Sequence, residues 1–246
     1  MKVTKFVACA CSVLISSSLF AQEQTVQSQN QKKEETTVED EYMSSAEDTI
    51  IGELASSDDY DNKMVALSYL KDAVEGGRTS PEVIASLSRL AGEGVKTTAR
   101  TNGRVMNNFP DVRAQACDLL GQVKTEESKN TLVSIAVEDK EPMVVTAAIR
   151  SLGDIGINDN DEVVNMIEFI HKRYAALNPT SSLALEILNT YEKLAPSVQD
   201  KGPMIQSISE IRTNYRYAAP VRTRATELLK SLQGSSSKKK NDNQKK

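Results

Sequence analysis

Few side chains in this 246-residue chain have types and spacings that could do covalent or acid–base chemistry. The single histidine, His171, lies in Ile167-Glu-Phe-Ile-His-Lys-Arg-Tyr174. It has no second His or Cys nearby to form a metal cluster, and no nucleophile elbow supplies a Ser for a triad. It reads as a helix-surface or half-buried residue. Gly92-Glu-Gly94 lacks both the third glycine of a dinucleotide loop and a Walker lysine, and no strand signal precedes it. Asp154, Asp159, Asp161 and Glu162 supply carboxylates, but their spacing misses the ligand pattern of a calcium loop; a solvated turn between helices accounts for them. The expectation is therefore a protein that is not an enzyme, with no cofactor and no metal.

Binding chemistry is better represented. In Lys96-Thr-Thr-Ala-Arg-Thr-Asn-Gly-Arg-Val-Met-Asn-Asn-Phe109, the residues Lys96, Arg100 and Arg104 recur at i, i+4 and i+8. On a helix this spacing gathers three cations on one face, where they repel unless something acidic meets them. Two readings follow: pairing with carboxylates of adjacent helices, or contact with an acidic partner. Met106 and Phe109, close behind, are either anchors or core. A second basic and aromatic cluster contains Arg212, Tyr215, Arg216, Tyr217, Arg222 and Arg224. Arg and Tyr are enriched at binding hot spots, and Lys96, Arg100, Arg104, Met106, Arg212, Tyr215 and Arg216 are the candidate partner-binding set.

The elements that must carry these residues are helical. The chain is 39% apolar and 26% charged, with only 4% aromatic residues and no Trp. Ala and Leu dominate the apolar share, which suits close-packed short helices better than sheet. Strand signals are nearly absent against a 3.6-residue period. Ser44-Ser-Ala-Glu47 reads as a capping box opening a first helix. Asp61 to Val74 forms an amphipathic stripe stopped by Gly76-Gly77, and Ser80-Pro81 opens the next helix, which Gly92 and Gly94 close. Further helices are predicted over Pro110 to Gly121, Glu127 to Glu138, Pro142 to Gly153, Asp161 to Leu177, Pro179 to Leu194, Val198 to Tyr215 and Pro220 to Leu232.

Two of these helices repeat each other. Sliding the chain by 32 residues lays Val112, Ala114, Ala116, Leu120 and Gly121 over Val144, Thr146, Ala148, Leu152 and Gly153. One helix pair cannot bury its own apolar face, so repeated pairs stack. Pro110 to Ile155 resembles a HEAT-repeat unit, in particular the short phycobilin-lyase-like variety in a secreted bacterial form. Asp111-Val112-Arg113, Ala116 and Leu120-Gly121 carry the likeness. Pro142, Val144, Ala148 and Leu152-Gly153 repeat it without the Arg. Pro220-Val221-Arg222, Ala225 and Leu229 repeat it without the Gly, and Asn62-Lys63, Ala66 and Leu70 repeat it loosely, with Lys for Arg. In this reading the glycines make left-handed reversals. The resemblance implies an all-α fold, an α-solenoid of four or five stacked antiparallel helix pairs in a right-handed superhelix. It further implies that Arg113 and Arg222 tie adjacent repeats through carboxylates, which leaves Arg212 and Arg216 freer. Lys63 and Arg113 are 50 residues apart rather than 32, so the segment from Gly92 to Phe109 is an insert, and inserts in solenoids often bind.

The termini point to a compartment. Lys2 and Lys5 precede the apolar run Phe6 to Ile15, and small residues lead to Ala21, the pattern of a secretory signal cleaved there. The rival, a retained anchor, needs a longer span. The expected organisation is a signal peptide over 1–21, a disordered polar tether over 22–43, the solenoid over 44–233 and a disordered Ser/Lys-rich tail over 234–246. Cys117 is then the sole cysteine of the mature chain and reads as a small buried hydrophobe; a reactive thiol would need exposure. The net charge of −4 argues against nucleic acid as a partner. The expected role is a scaffold of the bacterial envelope, periplasmic or secreted, whose partner is another envelope protein, with the basic tail offering weak contact to a membrane surface. The alternatives are a lyase-like or chromophore-accessory protein and a basic-face binder of anionic polymer.

Overall fold

Proline and glycine punctuate the helices much as the sequence predicts. The structure, a computed structural model, describes residues 37–243 along the backbone and 37–233 in their side chains. The expected signal segment, and the tether up to residue 36, lie outside the described residues. The helices are α1 (Val38–Ser56), α2 (Tyr60–Glu75), α3 (Pro81–Ala91), α4 (Pro110–Leu120), α5 (Glu126–Glu138), α6 (Pro142–Ile155), α7 (Glu162–Leu177), α8 (Ser181–Leu194), α9 (Gly202–Thr213) and α10 (Ala219–Asn243). Between α3 and α4 come two short strands, β1 (Arg100–Thr101) and β2 (Arg104–Val105). Ser80 accepts from the Val83 N–H and caps α3, with Pro81 in its first turn.

Even-numbered helices pack in series, α2 on α4, then α6, α8 and α10. Odd-numbered helices do the same, α1 on α3, then α5, α7 and α9. The two layers enclose a single apolar core that runs the length of the stack. This is an all-α solenoid. The 32-residue repeat is the period of its even layer: Val112, Ala116 and Leu120 of α4 and Val144, Ala148 and Leu152 of α6 are all fully buried.

Four expectations are corrected. First, α1 begins at Val38 rather than at Ser44, so residues 38–43 of the expected tether are helical. Glu39, Asp40 and Glu41 fill its first turn, where acidic side chains favour the helix N-terminus. Ser44 lies inside the helix and donates back to the Glu41 carbonyl.

Second, α10 stays helical to Asn243, through most of the expected disordered tail. Extending a helix that packing has already nucleated costs far less than starting one.

Third, the insert is a β-hairpin and not a helix. Arg100 pairs with Val105 and Thr101 with Arg104 around Asn102-Gly103, both with positive φ (50° and 78°). That dipeptide at such angles is the favoured two-residue hairpin turn.

Fourth, the glycines of the repeated Leu-Gly pair do not reverse the chain. Gly121 has φ −62° and Gly153 lies within α6. Both exist for close approach. A Cβ on Gly121 would lie 2.7 Å from the Cβ of Ser151, and one on Gly153 would lie 3.0 Å from Thr190 Oγ1. Each glycine therefore sits against the next even helix along the stack. The left-handed cap of α6 is Gly156, at φ 76°.

Candidate interaction surface

Two buried ion pairs set the base of the insert. Arg113, almost wholly buried, donates from Nε to Asp139 Oδ2 at 2.7 Å, and from Nη1 to the Glu93 carbonyl at 3.1 Å and to Asn108 Oδ1 at 2.9 Å. Lys63, equally buried, meets Glu93 Oε2 at 3.1 Å and donates to the Ala55 carbonyl. Arg113 is thus the ladder residue expected of it, and Lys63 does the same job in the preceding repeat. In each case a cation near the start of an even helix meets a carboxylate just beyond the next odd helix or at its end.

The hairpin is fastened to this ladder by Asn107. Its Nδ2 donates to Glu93 Oε1 and to the Thr97 carbonyl, both at 2.6 Å, while its Oδ1 accepts from Ala99 N–H at 2.8 Å. Gly94 makes room for the fastening: its φ is +72°, and a Cβ there would stand 2.4 Å from the Asn107 carbonyl oxygen. Phe109 packs against the core and the Tyr60 ring, with centroids 5.2 Å apart, and so is core rather than anchor.

What the fastening presents is polar and open. Lys96, Arg100 and Arg104 are exposed and have no ion pair among the described residues, so the expected pairing with neighbouring carboxylates does not occur. Met106, 56% exposed, stands beside them as an apolar surface. The three cations do not form one helical face. Lys96 lies in the turn after α3, against Gly92, while Arg100 and Arg104 stand on opposite strands. Arg100 and Val105 wall a cleft of about 400 Å³ whose other side is Glu138, Asp139, Lys140 and Glu141.

Every junction from an odd to an even helix lies on the same edge of the stack, because the helices alternate in direction. The hairpin, residues 139–141, residues 178–180 and residues 214–218 therefore follow one another. Side chains bridge successive junctions. Arg173 of α7 donates to the carbonyls of Ala136 and Val137 at the end of α5, and its guanidinium lies 5.8 Å from the Phe169 ring and 5.2 Å from the Tyr174 ring. Arg216 donates to the Ala175 carbonyl of α7. Both arginines sit where helix C-termini concentrate partial negative charge.

The second candidate cluster thus shares an edge with the insert, at its far end, and does not touch it. Arg212 is exposed at the end of α9, and Tyr215 is 85% exposed. Tyr217 is buried, and Arg224 pairs with Glu192. Sequence reading misses Phe169, Arg173, Met143 and Leu177, which line the middle of this edge. The i, i+4 spacing of Phe169 and Arg173 is the available signal.

Arg222 departs from its expected role. Its Nε is buried with no hydrogen-bond partner, and no ion pair reaches it among the described residues. The reason is position: α10 is the last described helix, and among the described residues no odd helix lies beyond it to supply the acid.

The remaining singled-out groups are structural. Cys117 is fully buried, and burial pushes its thiol pKa far up, so it is inert. Asp161 accepts from the backbone N–H groups of Gln199 and Asp200, which lower its pKa. Among the described residues no cluster of three metal-ligating groups occurs.

His171 is not on the surface: it is 1% exposed, and neither ring nitrogen has a hydrogen bond. Burial lowers its pKa below the usual 6.5, against a small opposing effect from Glu210, whose Oε2 lies 3.6 Å from Nδ1. The fold therefore keeps His171 neutral while the unfolded chain protonates it. The stability contributed by this neutral ring is fully present above pH 6.5, declines as pH falls below that value, and levels off at its lowest once pH passes the folded-state pKa. Between pH 7 and pH 5 the wild type should lose more stability than His171→Leu, by about 1.4 kcal/mol for each unit of the gap between folded and unfolded pKa values that falls in that range. Parallel melts of the two proteins check this, and equal losses would mean that the buried ring titrates freely.

Residues 104–174 match the family of HEAT repeats. No curated protein and no solved structure matches the chain. The matched span runs from β2 to the end region of α7, and the helices on either side continue the same two layers. The segment 104–174 is thus similar to HEAT repeats, and it lies in the middle of a longer α-solenoid.

Proposed function

We propose that this chain is a non-enzymatic scaffold that binds another protein of the bacterial envelope through the edge begun by the hairpin. HEAT repeats generally serve as protein-interaction scaffolds. One observation carries the reading here. Arg100 and Arg104 stand exposed and unpaired beside Met106, on a hairpin that Asn107 fastens to the buried ladder. A fastened, charged protrusion loses little conformational entropy when a partner binds. Arg173, Phe169, Tyr215 and Arg212 extend the same chemistry along the edge, which suits an acidic partner surface bearing some apolar side chains. The N-terminal sequence, with Lys2 and Lys5 before Phe6 to Ile15, supports export to the periplasm or beyond.

Crosslinking the full chain to its neighbours in an envelope extract, followed by mass spectrometry, tests the reading. The double substitution Arg100→Glu and Arg104→Glu is expected to abolish capture of the main partner while leaving the melting temperature within about 2 °C, as for surface changes away from packed sites. A fall in stability with capture intact would make these arginines structural and end the proposal. The short repeats also resemble the phycobilin-lyase-like kind. An absorbance scan that revealed a bound chromophore would put a lyase-type accessory role in place of the scaffold.

A further inference from the structure

The two ends of the stack differ in a way that suits them to each other. Terminal repeats of a solenoid ordinarily need a polar outer face. The first two helices lack one. Val38, Tyr42, Met43 and Ile50 of α1 and Val65 and Tyr69 of α2 are exposed. Met43, Ala46, Ile50 and Tyr69 line an open groove of about 460 Å³ with Asp40 and Glu47 on its rim. Residues 38–75 carry eleven Asp and Glu against two Lys, a net −9.

The other end is basic. Residues 201–233 carry six Lys and Arg against two Asp and Glu, a net +4. Here too the ladder is unfinished. In α4 the Nε of Arg113 takes Asp139. In α10 the Nε of Arg222, at the same place after the Val of the shared Val-Arg pair, is buried and has no hydrogen-bond partner. Among the described residues, what the last pair lacks is an acidic odd-layer helix laid beside α9 and α10. What the first pair offers is α1, an acidic odd-layer helix with an uncovered apolar face.

We infer that α1 and α2 of one copy dock on α9 and α10 of another, head to tail, so that the two layers continue from chain to chain. The contact joins two different surfaces and does not close on itself, so it extends beyond a dimer. A second copy meeting α1 against α1 would bring −9 against −9, which disfavours the symmetric alternative.

Sedimentation velocity of the full chain over a concentration series, at low and high salt, tests the inference with two end-blocked variants. One carries Met43→Glu and Ile50→Glu, and the other Arg222→Glu. Lys230→Glu, at an exposed site of α10, replaces the latter if its melting temperature falls. The wild type is expected to grow past the dimer with concentration and to shrink as salt rises. Each variant alone should stay monomeric, and an equal mixture of the two should form a dimer and nothing larger, since each retains one competent end. A wild type that is monomeric throughout overturns the inference, as does association that stops at a dimer or is indifferent to the α10 variants.

Discussion

Arg113→Ala is expected to destabilise the fold by about 3–5 kcal/mol, the usual cost of breaking a buried ion pair from one side. Asp139 would be left 2% exposed without its cation, and the Glu93 carbonyl and Asn108 would lose a donor. A melt or a urea titration measures the loss, on the order of 10 °C for a fold of this size. The double substitution Arg113→Met with Asp139→Leu separates charge from packing. Replacing both partners by apolar residues is often close to neutral, so the double should recover most of what the single loses. It will not recover everything, because Asp139 also accepts from the Glu141 N–H at the start of α6. If the single substitution costs under about 1 kcal/mol, the pair behaves like a surface bridge and the ladder is not what holds the insert.

Gly121→Ala sets two effects against each other. Ala favours a helix over Gly by up to about 1 kcal/mol, and Gly121 has an ordinary helical φ, so backbone strain plays no role. Against this, the new methyl would lie 2.7 Å from the Cβ and 2.9 Å from the Cα of Ser151. A backbone atom cannot swing aside as a side-chain tip can, so α4 and α6 must separate. Overpacking of this kind costs about 1–3 kcal/mol, and we expect it to win. Adding Ser151→Gly should recover only some of the loss, since the backbone of residue 151 still meets the methyl. A urea titration of the three proteins decides the matter; a stabilised Gly121→Ala would mean that the even layer has room to spare.

Much of this fold is legible in the sequence because its signals are local. Ser80-Pro81, Pro110 and Pro142 mark real helix starts, and Val112, Ala116 and Leu120 recur a repeat later as buried neighbours in the even layer. The position of the insert is legible too, but its fold is not read from the charges. Spacing of Lys96, Arg100 and Arg104 mimics a helical face, whereas Asn102-Gly103 between the arginines is a hairpin signal that outweighs it. The fastening by Asn107 is not legible, because it depends on Glu93 being held from behind by Lys63, a residue distant in sequence. The charged neighbours Lys172 and Arg173 make His171 look exposed or half-buried. Its burial is decided by α9, which packs on α7 and which no local pattern places there.

Glu93 has one more consequence. Its carboxylate holds Lys63 of α2 and Asn107 of the hairpin together, and its carbonyl holds Arg113 of α4. A stack of helix pairs behaves like a spring, each pair turning slightly on the next. Glu93 sits where one coil meets another and where the lever is attached. Tension applied to the hairpin would meet these buried bonds first. Conversely, a change in pitch between α2 and α4 would swing the lever. The hairpin is in this sense the pointer of a strain gauge whose flexing element is the first half of the stack.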